Sequence, residues 1–122
     1  MGKILIADDE EQILEVMVDI LEMAGHQVVG VTDGEEAITM LRKAKFDVAL
    51  FDVMMPKLDG YHAAQQVHGL PHRPKMVIVT SRNYDGDKGA LEAAGVDAFL
   101  SKPFQNRDLV EVVANLLAKN KS

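Results

Sequence analysis

The chain has 122 residues with no cysteine and no tryptophan, and its 19 acidic against 13 basic side chains give a formal net charge of −6. That length suits one domain with a single core, the missing thiols exclude a disulfide frame, a thiolate metal site and a cysteine nucleophile, and an acidic balance without a Lys/Arg-rich stretch argues against nucleic-acid binding. No apolar run approaches the roughly 18 residues of a membrane span and residues 1–8 lack the basic start and long apolar stretch of a signal peptide, so a cytoplasmic protein that does not engage the membrane is expected.

Residues 4–7 open the chain as the first of five short runs rich in apolar and β-branched side chains; the others are 28–31, 48–51, 76–79 and 96–100. Their unbroken apolar character predicts strands covered on both faces. Residues 11–24 predict a helix, with Glu15, Asp19 and Glu22 on a polar stripe and Ile13, Met17, Ile20 and Ala24 on an opposed apolar one. Asp33 can cap the next helix while Glu36 reaches back in the capping-box manner; Ala37, Ile38, Met40 and Leu41 supply its apolar face, and it ends near Lys43. A third helix runs from Gly60 to about His68, and the Gly-Leu-Pro-His-Arg-Pro stretch at 69–74 cannot continue it. A fourth fills 88–94 before Gly95, a natural C-terminal cap, and a fifth carries Leu109, Val112, Val113, Leu116 and Leu117 at helical spacing. The seven methionines read mostly as core filler, and His26, His62, His68 and His72 as surface residues with no metal-ligand spacing.

Strict alternation of strand and helix implies a parallel sheet whose right-handed crossovers put helices on both faces. The fold class is therefore α/β, a doubly wound five-stranded sheet with five helices over residues 1–122, since a barrel needs about eight units and roughly 250 residues. In such sheets ligands bind beyond the carboxyl ends of the strands. Those ends carry Asp8, Asp9, Glu10 and Glu11 after the first strand, Asp52 after the third, Thr80 and Ser81 after the fourth, and Ser101, Lys102 and Pro103 after the fifth. Every functional-looking residue falls on one rim.

Nucleotide and flavin sites use Gly-, Ser- or Thr-rich first loops whose N–H groups cradle phosphate; four consecutive acids would repel an anion unless a cation lay between. Carboxylates suit Mg²⁺, which takes one or two of them with water and phosphate oxygens. Lys102 and Mg²⁺ can both relieve the crowding of charge. Read alone, Asp8 and Asp9 also fit a solvated helix start, Asp59-Gly60 a turn and Phe99 the core.

The run Asp52-Val53-Met54-Met55-Pro56-Lys57-Leu58-Asp59-Gly60, with Asp8-Asp9 before it and Thr80 and Lys102-Pro103-Phe104 after it, resembles the response-regulator receiver family of two-component systems, including the single-domain chemotaxis regulators. The resemblance covers essentially the whole chain and implies the flavodoxin-like strand order 2-1-3-4-5. It implies that Asp52 takes a phosphoryl group from the phosphohistidine of a histidine kinase or phosphotransfer protein. Asp8, Asp9, Asp52 and the backbone carbonyl of Met54 would hold Mg²⁺. Thr80 would hydrogen-bond the phosphoryl group, Lys102 would pair with it from a cis Lys-Pro bond, and Phe99 would be the aromatic that turns inward as Thr80 moves, without the hydroxyl of the tyrosine common there. Met54 and Arg82, which overhang the phosphoryl group in this family, would shield it from water and lengthen its life. The protein would be a phospho-accepting switch and not an enzyme, acting on a downstream protein or a fused output domain, either as a complete regulator or as one domain of a longer one. Val112 stands where the dimerising transcription-factor branch has a basic residue, so a monomer is expected. A dehalogenase-like phosphatase needs a second Asp two residues after the nucleophile, where this chain has Met54, and a flavodoxin-like electron carrier is disfavoured by the acidic first loop.

Overall fold

The computed structural model describes residues 2–53, 60–81 and 86–120. The elements alternate as β1 (Lys3–Ala7), α1 (Glu11–Met23), β2 (Gln27–Val31), α2 (Gly34–Lys43), β3 (Val48–Asp52), α3 (Gly60–His68), β4 (Lys75–Thr80), α4 (Lys88–Ala93), β5 (Ala98–Ser101) and α5 (Asn106–Asn120). All four strand pairings are parallel, as the alternation implies, and the sheet order is β2-β1-β3-β4-β5, the order that the resemblance implies.

Side chains alternate across the sheet and so feed two cores. Ile4 and Ile6 of β1, with Leu50 of β3 and Val77 and Val79 of β4, pack against Leu14, Met17 and Leu21 of α1 and Leu109, Val113 and Leu116 of α5. Leu5, Ala7, Phe51 and Ile78 face the other way, against Ala37, Ile38 and Leu41 of α2, Ala63, Ala64 and Val67 of α3, and Leu91 of α4. Leu50 is fully buried, and truncating it to Ala should cost about 2–5 kcal/mol.

The strands β1, β3 and β4 are covered on both faces. Both edge strands depart from that expectation: in β5 Ala98 and Phe99 are half-buried and Ser101 exposed, and in β2 Gln27 and Gly30 are exposed and Val28 and Val29 only half-buried. A Cβ at Gly30 would lie 3.0 Å from Leu14 and 3.1 Å from Val18, so glycine lets α1 sit tightly over this edge.

The caps at Asp33 and Gly95 are those the sequence predicts, and Asp87 adds one that it does not single out. The Asp33 carboxylate accepts the Glu36 N–H at 2.7 Å, the Asp87 carboxylate accepts the Ala90 N–H at 3.0 Å, and Gly95 after α4 adopts φ +111°, which favours glycine. The inward stripe of α1 is corrected: Leu14, Met17 and Leu21 are buried, Ile13 and Ile20 are half-buried at the flank, and Ala24 is the exposed C-cap. Apolar residues occupy a wide arc of this helix, so two stripes have helical spacing, and packing against β2 and α5 selects the one centred on Leu14 and Leu21. Among the described methionines Met17 and Met76 are core, while Met23 is 88 % exposed. His62, His68 and His72 are exposed. His26 instead is half-buried: its Nδ1 accepts the Gly2 N–H at 3.0 Å, and burial pushes its pKa down. No described helix is long and apolar enough to cross a membrane.

Candidate functional site

Parallel pairing brings the carboxyl ends of β1, β3, β4 and β5 to one edge, and the register continues past the strands. The Asp8 N–H reaches Val31 O (3.1 Å), the Val53 N–H reaches Val79 O (2.9 Å), and the Lys102 N–H reaches Thr80 O (2.7 Å). These bonds place Asp8 and Asp52 side by side at the rim, 1 % and 9 % exposed. Asp8 Oδ1 accepts the Glu10 N–H at 2.9 Å, an Asx-type turn that launches α1. From the far side of the sheet, Lys102, followed by a cis peptide bond to Pro103, extends its ammonium to Asp52 Oδ2 at 3.0 Å, Asp8 Oδ2 at 3.1 Å and Glu10 Oε1 at 3.4 Å.

Burial raises the pKa of Asp8, and the charge of Asp52 adds to it; the Glu10 N–H and Lys102 oppose the rise without cancelling it. Burial alone would lower the pKa of Lys102, but its hydrogen bonds and charge interactions with Asp52 and Asp8 outweigh that and move it above the ordinary lysine value. The ammonium is thereby held charged at neutral pH.

Asp8, Glu10 and Asp52 each offer a carboxylate oxygen within 4.8 Å of the others. At that distance a pair of unit charges repels by about 3–4 kcal/mol for an effective dielectric near 20. Among the described residues, three carboxylates against one ammonium leave two formal negative charges. Beside them lies a cavity of about 300 Å³ lined by Asp9, Glu10, Asp52, Val53, Ser81 and Lys102. A set of hard oxygen donors with a deficit of two positive charges, open to water on one side, fits a small divalent cation such as Mg²⁺.

The structure thus gathers Asp8, Asp52 and Lys102, as the sequence analysis anticipates. Asp9 is exposed and lines the cavity, but the third carboxylate in the close group is that of Glu10. From sequence alone Glu10 is one of four acids with no distinct role; the available signal is its position two residues after Asp8, where an Asx turn brings the chain back. Thr80 is buried at the end of β4, and the neighbouring Ser81 lines the cavity. Phe99 is half-buried against the core below α4, with the Lys88 ammonium 5.5 Å from its ring centroid. The Met54 carbonyl, the Met54 and Arg82 side chains and the Asp59 turn lie outside the described residues.

The family model of the response regulator receiver domain matches residues 4–114. The response regulator GtcR of Aneurinibacillus migulanus is 35 % identical over 95 % of this chain, which corresponds to 46 % of that protein. The chain spans about half the length of the curated relatives it matches. Among solved structures, one of a putative response regulator from Chloroflexus aurantiacus superposes with a TM-score of 0.89 at 32 % identity, covering 96 % of this chain and 98 % of the other. The receiver domain of a sensor histidine kinase from Pseudomonas aeruginosa PAO1, solved with a magnesium ion coordinated in its active site cleft, superposes with a TM-score of 0.87 at 26 % identity, covering 96 % of this chain and 98 % of the other.

Proposed function

This chain belongs to the response regulator receiver domain family of two-component systems, and on that premise we propose that Asp52 is its phosphoacceptor. The observation that carries this reading is the Asp52 carboxylate at the end of a central strand, hydrogen-bonded by Lys102 at 3.0 Å beside Asp8 and on the wall of the cavity. An Asp52 oxygen attacks the phosphorus of a phosphohistidine on a sensor kinase or phosphotransfer protein. The P–N bond breaks, the imidazole leaves, and an acyl phosphate forms that water later hydrolyses.

Phosphoryl transfer needs in-line positioning and stabilisation of charge on the equatorial oxygens. Lys102 supplies an ammonium that passes from the Asp52 carboxylate to a phosphoryl oxygen, and the Thr80 hydroxyl donates to another. Asp8, Asp9, Asp52 and the Met54 carbonyl would hold Mg²⁺, with the Glu10 carboxylate in the same group; when bound, the ion neutralises the carboxylates and polarises the phosphoryl oxygens. Thr80, drawn toward the phosphoryl group, and Phe99, on the adjacent strand β5, then carry the change to the face read by a downstream protein or fused output domain. Met54 and Arg82 shield the phosphoryl group from in-line water. The protein is a stoichiometric switch and not an enzyme with turnover of its own; residues 1–122 form one receiver domain, monomeric and cytoplasmic.

The test is mass spectrometry after incubation with acetyl phosphate and Mg²⁺. One phosphoryl adduct is expected on the wild type and none on Asp52→Ala. An adduct on the variant, or none on either, overturns the assignment.

A further inference from the structure

The N-terminus of α1 is capped differently from its neighbours on the same rim. Asp33 and Asp87 occupy the N-cap positions of α2 and α4 and spend their carboxylates on backbone N–H groups. Glu10, the N-cap of α1, makes no side-chain cap bond. Its carboxylate reaches across the loop to the Lys102 ammonium instead, at 3.4 Å. Glutamate is a poor N-cap compared with aspartate, which is among the best, so the helix forgoes a cap at this position.

The three carboxylates around Lys102 differ in setting. The side chains of Asp8 and Asp52 are 2 % and 12 % exposed, whereas that of Glu10 is 59 % exposed. Lys102 therefore sits with its two shorter contacts inward and its longer one toward water. A divalent cation that takes oxygens of Asp8 and Asp52 competes with the ammonium for the same atoms, and like charges in a half-buried site repel. The ammonium then needs another anion on the solvent side within reach of its present position, and Glu10 is that anion among the described residues.

We propose that Glu10 is a positioning residue for Lys102: it is the seat to which the ammonium withdraws when a divalent cation occupies the Asp8 and Asp52 oxygens, and it keeps the ammonium at the mouth of the cavity, ready for a phosphoryl oxygen. This inference rests on the receiver reading and deepens it. Glu10 acts through Lys102, and its charge on the ion itself is a separate contribution that the test must remove.

Two substitutions separate these contributions. Glu10→Gln removes the charge, while Glu10→Asp keeps a charge near the ion, shortens the reach by one methylene and supplies a better N-cap, so folding is secure. The measurement is the Mg²⁺ midpoint of unphosphorylated protein, followed by amide chemical-shift titration, for each variant in the wild-type and Lys102→Met backgrounds. The difference between backgrounds isolates the coupling. Glu10→Asp should weaken Mg²⁺ binding by about two- to fivefold in the wild type, the range an exposed ion pair accounts for, and leave it unchanged in Lys102→Met. Glu10→Gln should weaken binding in both backgrounds, with the larger loss where Lys102 is present. Equal losses in both backgrounds, or wild-type affinity for Glu10→Asp, overturn the proposal, while an Asp52 adduct in the same samples leaves the phosphoacceptor reading standing. Absence of any Mg²⁺-dependent shift in the wild type overturns this proposal and the cofactor assignment together.

Discussion

Replacing Lys102 by Met keeps most of the length of the side chain and removes the cation that, among the described residues, lies between Asp8 and Asp52, 3.1 and 3.0 Å away. Removing one partner of a fully buried ion pair costs about 3–5 kcal/mol, because the other charge is left without compensation. Here Asp8 is buried but Asp52 and Lys102 keep 12 % and 19 % of their side-chain exposure, so the cost is discounted to about 2–3 kcal/mol for screening by water. For a domain of this size that corresponds to a fall in Tm of about 10 °C. Urea and thermal unfolding at neutral pH without Mg²⁺ should show it. Saturating Mg²⁺ should restore most of the loss, since a ligand at about 100 times its Kd contributes about 2.7 kcal/mol, and the variant should bind the ion more tightly than the wild type for want of a competitor. The deficit should also shrink toward acid. Burial already raises the pKa of Asp8 in the fold, and losing Lys102 removes an interaction that lowers it. A folded state that binds its proton more tightly than the unfolded chain becomes relatively more stable as pH falls through that range. A metal-free Lys102→Met protein as stable as wild type at neutral pH would refute the reasoning, because the two carboxylates would then need no counter-charge.

Asp8→Asn should raise metal-free stability at neutral pH and flatten its decline as pH rises above the ordinary Asp value of 3.8, because a carboxyl whose folded pKa is raised opposes folding once ionised; urea midpoints from acid to neutral pH check it, and a lower neutral-pH midpoint than wild type would contradict it. Asp9→Ala should weaken Mg²⁺ binding without loss of fold, read by the same titration and by circular dichroism, since its side chain is exposed on the cavity wall. Thr80→Ala should still accept the phosphoryl group from acetyl phosphate yet lose most of the phosphorylation-dependent gain in partner binding, and an undiminished gain would remove Thr80 from the switch. Met54→Asn and Arg82→Glu should each release the phosphoryl group severalfold faster than wild type once the donor is withdrawn, because a polar or acidic neighbour can orient the attacking water; a variant as slow as wild type shows that the residue it replaces is no shield.

The parts of the site that were legible in the sequence are those that topology alone brings together. Asp8, Asp52, Thr80 and Lys102 each follow or close an apolar run, and in a parallel sheet every such position lies on the same rim. No side-chain detail is needed to bring Lys102 opposite Asp52, only the strand order, which places β1, β3, β4 and β5 in sequence across the sheet from β1 to the edge. The rotation of α1 was less legible for the opposite reason. Apolar side chains at 13, 14, 16, 17, 18, 20 and 21 leave several faces with helical spacing, and only the packing partners on β2 and α5 select Leu14, Met17 and Leu21 for burial.

The choice among the four acids of the first loop is decided at a finer scale still. Composition gives Asp8, Asp9, Glu10 and Glu11 equal standing, and a resemblance directs attention to the first two. In the fold, Asp8 is pinned from two sides: its N–H continues the ladder to Val31 and its Oδ1 closes the turn onto the Glu10 N–H. That turn leaves the Asp9 side chain exposed on the cavity wall and brings the Glu10 side chain back over the rim, where one more methylene than aspartate carries its carboxylate to Lys102. Reading the loop from sequence would require knowing that the Asp8 carboxylate serves the backbone as well as the ammonium, a dual use that its two oxygens permit because Oδ1 takes the N–H and Oδ2 takes Lys102. An Asp8→Asn substitution therefore bears on both at once: an amide can keep the turn through its carbonyl oxygen, but its NH₂ cannot accept from the ammonium, so Lys102 should shift its weight to Asp52 and Glu10 while α1 still starts at the same residue.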